Sequence, residues 1–248
     1  MESRPLNDAA LAHALAEEAG ALLLALRNAK PDGGKALGDE GDSIANAFIL
    51  ERLRAERPDD AILSEEEKDN VSRCAFSRTW VIDPLDGTRE YAEGRDDWAV
   101  HVALAIDGRP AIGAVALPSL GLTLASDAPP PLFPEADPLR MLVSRTRPAA
   151  EAVAVNEALG GVLVAMGSAG AKAMAVVLGQ ADIYLHTGGQ YEWDNCAPAA
   201  VALAAGLHVS RVDGSPLVYN CENPWLPDLL ICHRERAAQV LALVAGLS

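Results

Sequence analysis

The segment Trp80-Val81-Ile82-Asp83-Pro84-Leu85-Asp86-Gly87-Thr88 holds the densest chemistry in the sequence. An apolar run that reads as a buried strand ends in two carboxylates three positions apart, then a glycine, then a hydroxyl. Asp83 precedes a proline, which steers its backbone toward extended conformations. Asp86-Gly87 is a turn dipeptide. Two aspartates leaving a rigid strand, with the Leu85 carbonyl between them, can converge on one hard cation, and Mg2+ takes such oxygen ligands together with substrate phosphates. The segment predicts metal-assisted phosphate chemistry, and Asp83, directly after three apolar residues, is the hardest of its members to explain as an ordinary surface group.

Three further acids stand near predicted element ends. Asp42 occupies an expected helix N-cap before Ile44, Ala45, Phe48, Ile49 and Leu53. Glu65 opens Glu65-Glu66-Glu67 after a short strand, and Glu67 reads as a solvated charge. Asp194 lies in Trp193-Asp194-Asn195-Cys196-Ala197-Pro198. Taken alone, Asp42 and Asp194 read equally well as plain N-caps. Competing phosphatase chemistries weaken on spacing. A haloacid-dehalogenase-type site sets its two aspartates two positions apart, whereas here the gap is three with a proline inside it. A cysteine nucleophile needs an arginine six positions on, which Cys74, Cys196 and Cys221 lack, and no Gly-x-x-x-x-Gly-Lys-Ser/Thr loop is present. No histidines pair at ligand spacing, and His101 reads as an ordinary sheet residue.

Two segments offer contacts for a second anion. Gly167-Ser168-Ala169-Gly170-Ala171-Lys172 is a strand-to-helix junction whose N–H groups, Ser168 hydroxyl and Lys172 charge can hold a phosphate or a ribose. Close packing of small residues is the alternative there. Ser144-Arg145-Thr146-Arg147 supplies cations, with a surface role as its alternative.

The elements that position these groups follow from periodicity. Leu11, Leu15, Ala19, Leu22 and Leu26 predict a helix over 8–30, broken by Pro31-Asp32-Gly33-Gly34. A polar loop then leads to a helix over 42–57, and 61–64 is a short strand. Residues 98–106 alternate, with Val100, Val102, Leu104 and Ile106 on one face and Ala99, His101, Ala103 and Ala105 on the other. With strands at 111–117 and 122–124 they form an antiparallel meander. The proline-rich stretch 128–138 divides the chain into an N-terminal metal-binding part, 1–127, and a C-terminal part, 139–248, that completes the site. In the latter, strands near 140–143, 161–166, 181–186, 207–212 and 228–232 alternate with helices near 148–158, 169–179, 194–205 and 234–246. The fold class is α/β, a layered sandwich of helices and sheets.

The whole chain sets limits. A net charge of −15 over 248 residues argues against a nucleic-acid backbone as partner. It leaves room for a small phosphorylated substrate, because bound divalent ions reverse the local sign. No uninterrupted apolar run reaches the ~20 residues of a membrane span, and Met1-Glu2-Ser3-Arg4-Pro5 opens no secretory signal. Cytoplasmic residence with no membrane partner is expected. Cys74, Cys196, Cys221 and Cys232 show no metal-ligand spacing, so reduced thiols are expected.

Asp42, Ser64-Glu65-Glu66, Asp83 to Thr88 and Trp193-Asp194 together resemble the signature of the inositol-monophosphatase superfamily, with the four blocks in family order. Ala61 to Glu66, Asp83 to Glu90, Gly94 to His101, Gly167 to Met174 and Gly188 to Asp194 resemble its CysQ branch, the actinobacterial-like phosphatases of 3'-phosphoadenosine 5'-phosphate. The resemblance implies the sugar-phosphatase fold and a magnesium-dependent, lithium-sensitive phosphomonoesterase. It implies a first Mg2+ on Glu65, Asp83 and the Leu85 carbonyl. Asp83, Asp86 and Asp194 would hold a second, and a third, weaker ion would lie beside Glu65. Thr88 and Glu65 would orient and deprotonate the attacking water, with Asp42 supporting Thr88. Substrate contacts would come from Glu65, Leu85, Asp86, Gly87, Thr88, Arg145, Ser168, Lys172 and Asp194.

The implied activity is release of the 3'-phosphate to give AMP, within sulfate-assimilation recycling. Inositol 1-phosphate and fructose 1,6-bisphosphate are alternative substrates. A non-catalytic metal- or nucleotide-binding module is a remote alternative, because Thr88 and Glu65 are both present. A homodimer is an admissible assembly. One departure concerns Cys196, where relatives carry a small inert side chain. Its oxidation would disturb Asp194, although packing explains it as well.

Overall fold

Two five-stranded sheets and three helical layers alternate through the computed structural model, which describes residues 6–247. The first layer is a pair of helices, α1 (Asp8–Ala29) and α2 (Gly34–Glu56). They cover one face of a sheet with strand order β1 (Ala61–Ser64), β2 (Arg78–Asp86), β3 (Ala99–Ile106), β4 (Arg109–Leu117) and β5 (Leu122–Ala125). Strands β1 and β2 run parallel, and the rest are antiparallel. A single turn of helix, α3 (Thr88–Ala92), leaves the end of β2.

The second half begins at β6 (Arg140–Ser144) and proceeds through α4 (Ala150–Leu159), β7 (Val162–Met166), α5 (Ala169–Val177) and β8 (Ile183–His186). A short strand β9 (Gln190–Tyr191), α6 (Glu192–Ala204), β10 (His208–Ser210), β11 (Trp225–Leu226), β12 (Leu229–Cys232) and α7 (Arg234–Ala245) complete it. Its sheet has the order β10-β12-β8-β6-β7, while β9 and β11 pair as a separate ribbon.

The alternation of β3 decides what packs where. Val100, Val102 and Leu104 lie in the core shared with α1 and α2, while Ala99, Ala103 and Ala105 face the layer of α5 and α6. Alanine on that face lets an alanine-rich helix approach closely. Helices α5 and α6 form the middle layer, sharing one apolar cluster with both sheets. The opposite face of the second sheet, through Met141, Ile183 and Leu230, packs on α4 and α7. The layered α/β fold is therefore as expected.

One expectation is refined and one changes. Helix α1 is long and apolar enough, by length and composition, to cross a membrane, because its leucines and alanines outweigh Glu17 and Glu18. In this structure Leu11, Leu15, Ala19 and Leu23 are buried in the first core. Helix α2 starts at Gly34 rather than Asp42, so the predicted polar loop is helical. Glycine inside a helix costs roughly 1 kcal/mol, but Gly38 has a packing reason: a Cβ there would lie 2.7 Å from Thr88 Cγ2. The glycine lets α2 press against α3, and Asp42 consequently sits inside the helix rather than at its cap.

Candidate active site

The strand register brings the acids together. Parallel pairing sets Ser64 beside Ile82, and the Glu65 N–H donates to the Ile82 carbonyl at 3.2 Å, so Glu65 leaves β1 next to Asp83. Strand β2 pairs Asp83 with His101 and Asp86 with Ala99, with an irregularity between them. The Leu85 N–H donates to Asp83 Oδ1 at 3.1 Å, and Thr88 Oγ1 donates to the Leu85 carbonyl at 3.2 Å. Asp194 arrives from the first turn of α6, where it accepts the Tyr191 N–H at 2.6 Å. It is thus the third residue of that helix and reaches back to its start, which differs from a plain N-cap.

Carboxylate oxygens of Asp83, Asp86 and Asp194 lie within 4.8 Å of one another. Burial raises the cost of charge on these groups and their neighbours add repulsion. Asp83, buried, is held well above the usual carboxylate range by desolvation and then by the charges of Glu65 and Asp86. Desolvation and the charge of Glu66 push Asp42 up to about 7, with the nearby Thr88 hydroxyl pulling the other way. Desolvation and the charge of Asp86 push Asp194 up to about 6. Glu65 is raised to about 8 by desolvation and by Asp194 and Asp42, although its surface is largely exposed, so solvent tempers the rise. Asp42 Oδ1 is buried with no hydrogen-bond partner. A cluster of crowded acids with an orphaned oxygen fits divalent cations held by oxygen ligands.

Asp86 behaves in the opposite way. Against the cost of burial, the charge of His101 and hydrogen bonds from Ser168 and Gly170 bring it down to about 2. Ser168 Oγ and the Gly170 N–H each donate to Asp86 Oδ2 at 2.6 Å, and the Ala169 N–H donates to Oδ1 at 3.2 Å. His101 Nε2 stands 3.3 Å from Oδ2, a charge contact without hydrogen-bond alignment.

Residues 7–129 and 130–245 match the profile of the inositol monophosphatase family. The chain belongs to that family. It is 50% identical, over 256 aligned residues covering 96% of this chain and 94% of the relative, to the 3'-phosphoadenosine 5'-phosphate phosphatase of Mycobacterium leprae (strain TN). It is 31% identical over 205 residues, 75% of this chain and 80% of the other, to the 3'(2'),5'-bisphosphate nucleotidase CysQ of Escherichia coli (strain K12). The crystal structure of CysQ from Bacteroides thetaiotaomicron has the same fold, with a TM-score of 0.75 at 24% identity over 92% of this chain and 97% of that one. The family resemblance carried by the four acidic blocks is borne out, as is the CysQ branch.

At the glycine-rich junction the helix start already holds an anion. The anion seated on the start of α5 is the protein's own Asp86. A helix start attracts negative charge, and the chain fills it internally, so Ser168 acts on Asp86 and its hydroxyl is already committed. Lys172 is buried, with Nζ donating to the carbonyls of Gly167 and Ser168, the latter at 2.8 Å. Burial lowers its pKa. Arg145 is also engaged, bonding Glu90 at 2.8 Å and Glu93 at 2.6 Å. Neither cation is presented freely to a second anion.

His101 is the site residue that the sequence reading missed. Its Nδ1 lies 3.0 Å from the Trp193 carbonyl, so one ring contacts Asp86 and the residue before Asp194. The available signal was its place on the alanine face of β3: a lone histidine buried there needs polar partners. A second missed feature ties the loop after Glu65 to the start of α6. Arg73 bonds Asp69, Asn220 Oδ1 and the Cys221 carbonyl, while Glu192 accepts the N–H groups of Asn220 and Cys221. All four cysteines are free. Cys196 is wholly buried and burial holds its thiol well above the usual range, so packing accounts for it and the redox role loses support.

Gly170 gives one test. A methyl there would collide with His101 Nε2 and crowd Asp86 Oδ2 at 3.1 Å. Gly170→Ala should cost about 1–3 kcal/mol of stability through overpacking and should lower metal-dependent turnover as well. Thermal melts paired with phosphate release check it, and unchanged turnover would mean that Asp86 does not need this seat.

Proposed function

We propose that the chain is a magnesium-dependent phosphomonoesterase that releases the 3'-phosphate of 3'-phosphoadenosine 5'-phosphate, giving AMP. The convergence of Asp83, Asp86 and Asp194 within 4.8 Å carries the metal-dependent reading. The 50% identity with the mycobacterial phosphatase over nearly the whole chain supports the choice of substrate. Glu65, Asp83 and the Leu85 carbonyl would hold one Mg2+, Asp83, Asp86 and Asp194 a second, and Glu65 a weaker third. Bound there, the ions supply Lewis-acid stabilisation of phosphoryl charge and lower the pKa of water.

The remaining work falls to the chain. Thr88 can turn its hydroxyl from the Leu85 carbonyl to Asp42, whose Oδ1 is unpartnered, leaving a Thr88 lone pair to orient the attacking water. Glu65, which leaves β1 next to Asp83, would accept the water's proton. The N–H groups of Gly87 and Thr88, at the turn out of β2, would donate to the phosphate oxygens. Ser168 and Lys172 contribute by fixing Asp86 and the turn that holds it. In this reading residues 1–127 supply most metal ligands, 139–248 supply Asp194 and substrate contacts, and 128–138 connect them. The same reading carries lithium inhibition, cytoplasmic residence, a homodimer and a role in sulfate-assimilation recycling.

Phosphate release should be measured from 3'-phosphoadenosine 5'-phosphate, inositol 1-phosphate and fructose 1,6-bisphosphate, each with and without Mg2+. The nucleotide should react fastest and only with metal. Release from the inositol ester alone would overturn the substrate, and no release from any would favour a non-catalytic binding module.

A further inference from the structure

Aromatic residues make up only 4% of the chain, yet three lie on the segments that lead into the helix carrying Asp194. Tyr191 and Trp193 are stacked, with ring centroids 4.7 Å apart and planes 7° from parallel. Across the β9–β11 ribbon, Tyr191 is the register partner of Trp225. Tyr191 is 45% exposed and Trp225 47% exposed. Trp193, by contrast, is partly buried against the central core.

The stack is anchored to the acidic cluster. The Tyr191 N–H donates to Asp194 Oδ2 at 2.6 Å, and the Trp193 carbonyl meets His101. Trp193 covers one face of the Tyr191 ring, so the exposure of Tyr191 belongs to its other face and edge. Single exposed aromatics are common on proteins. A stacked pair whose backbone is held by Asp194 and His101 is instead a preformed π surface. Tyrosine provides such area at low entropic cost because it has only two side-chain torsions.

We propose that Tyr191 is a base-stacking residue: the purine of the substrate lies on its outer face and extends the Trp193–Tyr191 stack while the 3'-phosphate occupies the acidic cluster. The proposal rests on the nucleotide-phosphatase reading above and deepens it. With Lys172 buried and Arg145 paired to Glu90 and Glu93, the nucleoside becomes the feature by which the rim of the site recognises its substrate. An inositol or sugar phosphate has no π face and gains nothing from this platform.

Calorimetric binding of AMP and of ribose 5-phosphate to wild type, Tyr191→Phe and Tyr191→Ala in Mg2+ tests the stack without relying on turnover. AMP should bind wild type and Tyr191→Phe alike and Tyr191→Ala about tenfold more weakly, the scale of one lost base–aromatic stack. Ribose 5-phosphate should bind all three equally. The KM for 3'-phosphoadenosine 5'-phosphate should rise by the same factor in Tyr191→Ala. Equal weakening of both ligands would assign Tyr191 a structural role and overturn the proposal. AMP binding no tighter than that of ribose 5-phosphate to wild type would also overturn it, as would a Tyr191→Ala variant that changes assembly but not AMP affinity. If wild type binds AMP through Tyr191 yet hydrolyses no nucleotide, the substrate reading fails and the stack stands.

Discussion

Asp83→Asn should abolish metal-dependent turnover, by about 1000-fold or more, or about 4 kcal/mol of transition-state stabilisation, while making the metal-free chain harder to unfold. Both effects have one cause. Asp83 is 1% exposed and lies among Glu65, Asp86, Asp194 and Asp42, whose charges add to the cost of burying its own. Asparagine keeps the volume and an oxygen to accept the Leu85 N–H at 3.1 Å, so β2 retains its turn. It removes the charge that two cations would share. Three measurements separate ligand from scaffold: phosphate release in Mg2+, the metal-free Tm, and the rise in Tm when Mg2+ is added. The expected pattern is lost release, a higher metal-free Tm and a reduced response to metal. Near-normal turnover would refute a shared-ligand role, and a lower metal-free Tm would refute the electrostatic account.

Much of this arrangement is legible in local sequence because local rules govern it. The alternation over 98–106 correctly assigns the valines and alanines to opposite faces of β3. The Asp-Pro-Leu-Asp-Gly-Thr turn locates two acids that the structure indeed brings together with Asp194. What local rules miss are choices settled by distant partners. The sequence shows that residues 167–172 can hold an anion, but the identity of that anion depends on where β2 ends relative to α5, and Asp86 reaches it first. Lys172 and Arg145 look available only until their carbonyl and carboxylate partners are known. Gly38 reads as loop because its reason, contact with Thr88, lies fifty residues away. His101 reads as bland for the same reason, since Gly170 and Trp193, which define its surroundings, are far along the chain.

The metal-free protein should lose stability as pH rises from about 5 to 8.5, and Mg2+ should restore it. A carboxyl whose pKa is higher folded than unfolded keeps a proton that the unfolded chain has released. Stability therefore falls as pH climbs from the unfolded value through the folded one. Glu65 at about 8, Asp42 at about 7 and Asp194 at about 6 all act in this sense. His101 adds to the decline, because a histidine with a raised pKa loses its stabilising proton as pH rises. His186 and His208, lowered by burial, oppose it below about pH 6.5, so the fall steepens above that point. Asp42 alone, 7% exposed, contributes on the order of 2–3 kcal/mol across this window after allowance for screening. At roughly 2–4 °C per kcal/mol for a chain of this size, Tm should drop by about 5–10 °C. Cations that bind the deprotonated acids stabilise only the folded state, so the Mg2+-induced rise in Tm should grow with pH. Melting curves in chelator and in Mg2+ at several pH values provide the check. A metal-free Tm that is flat or rises toward pH 8.5 would show that these three acids do not repel one another as their crowding requires.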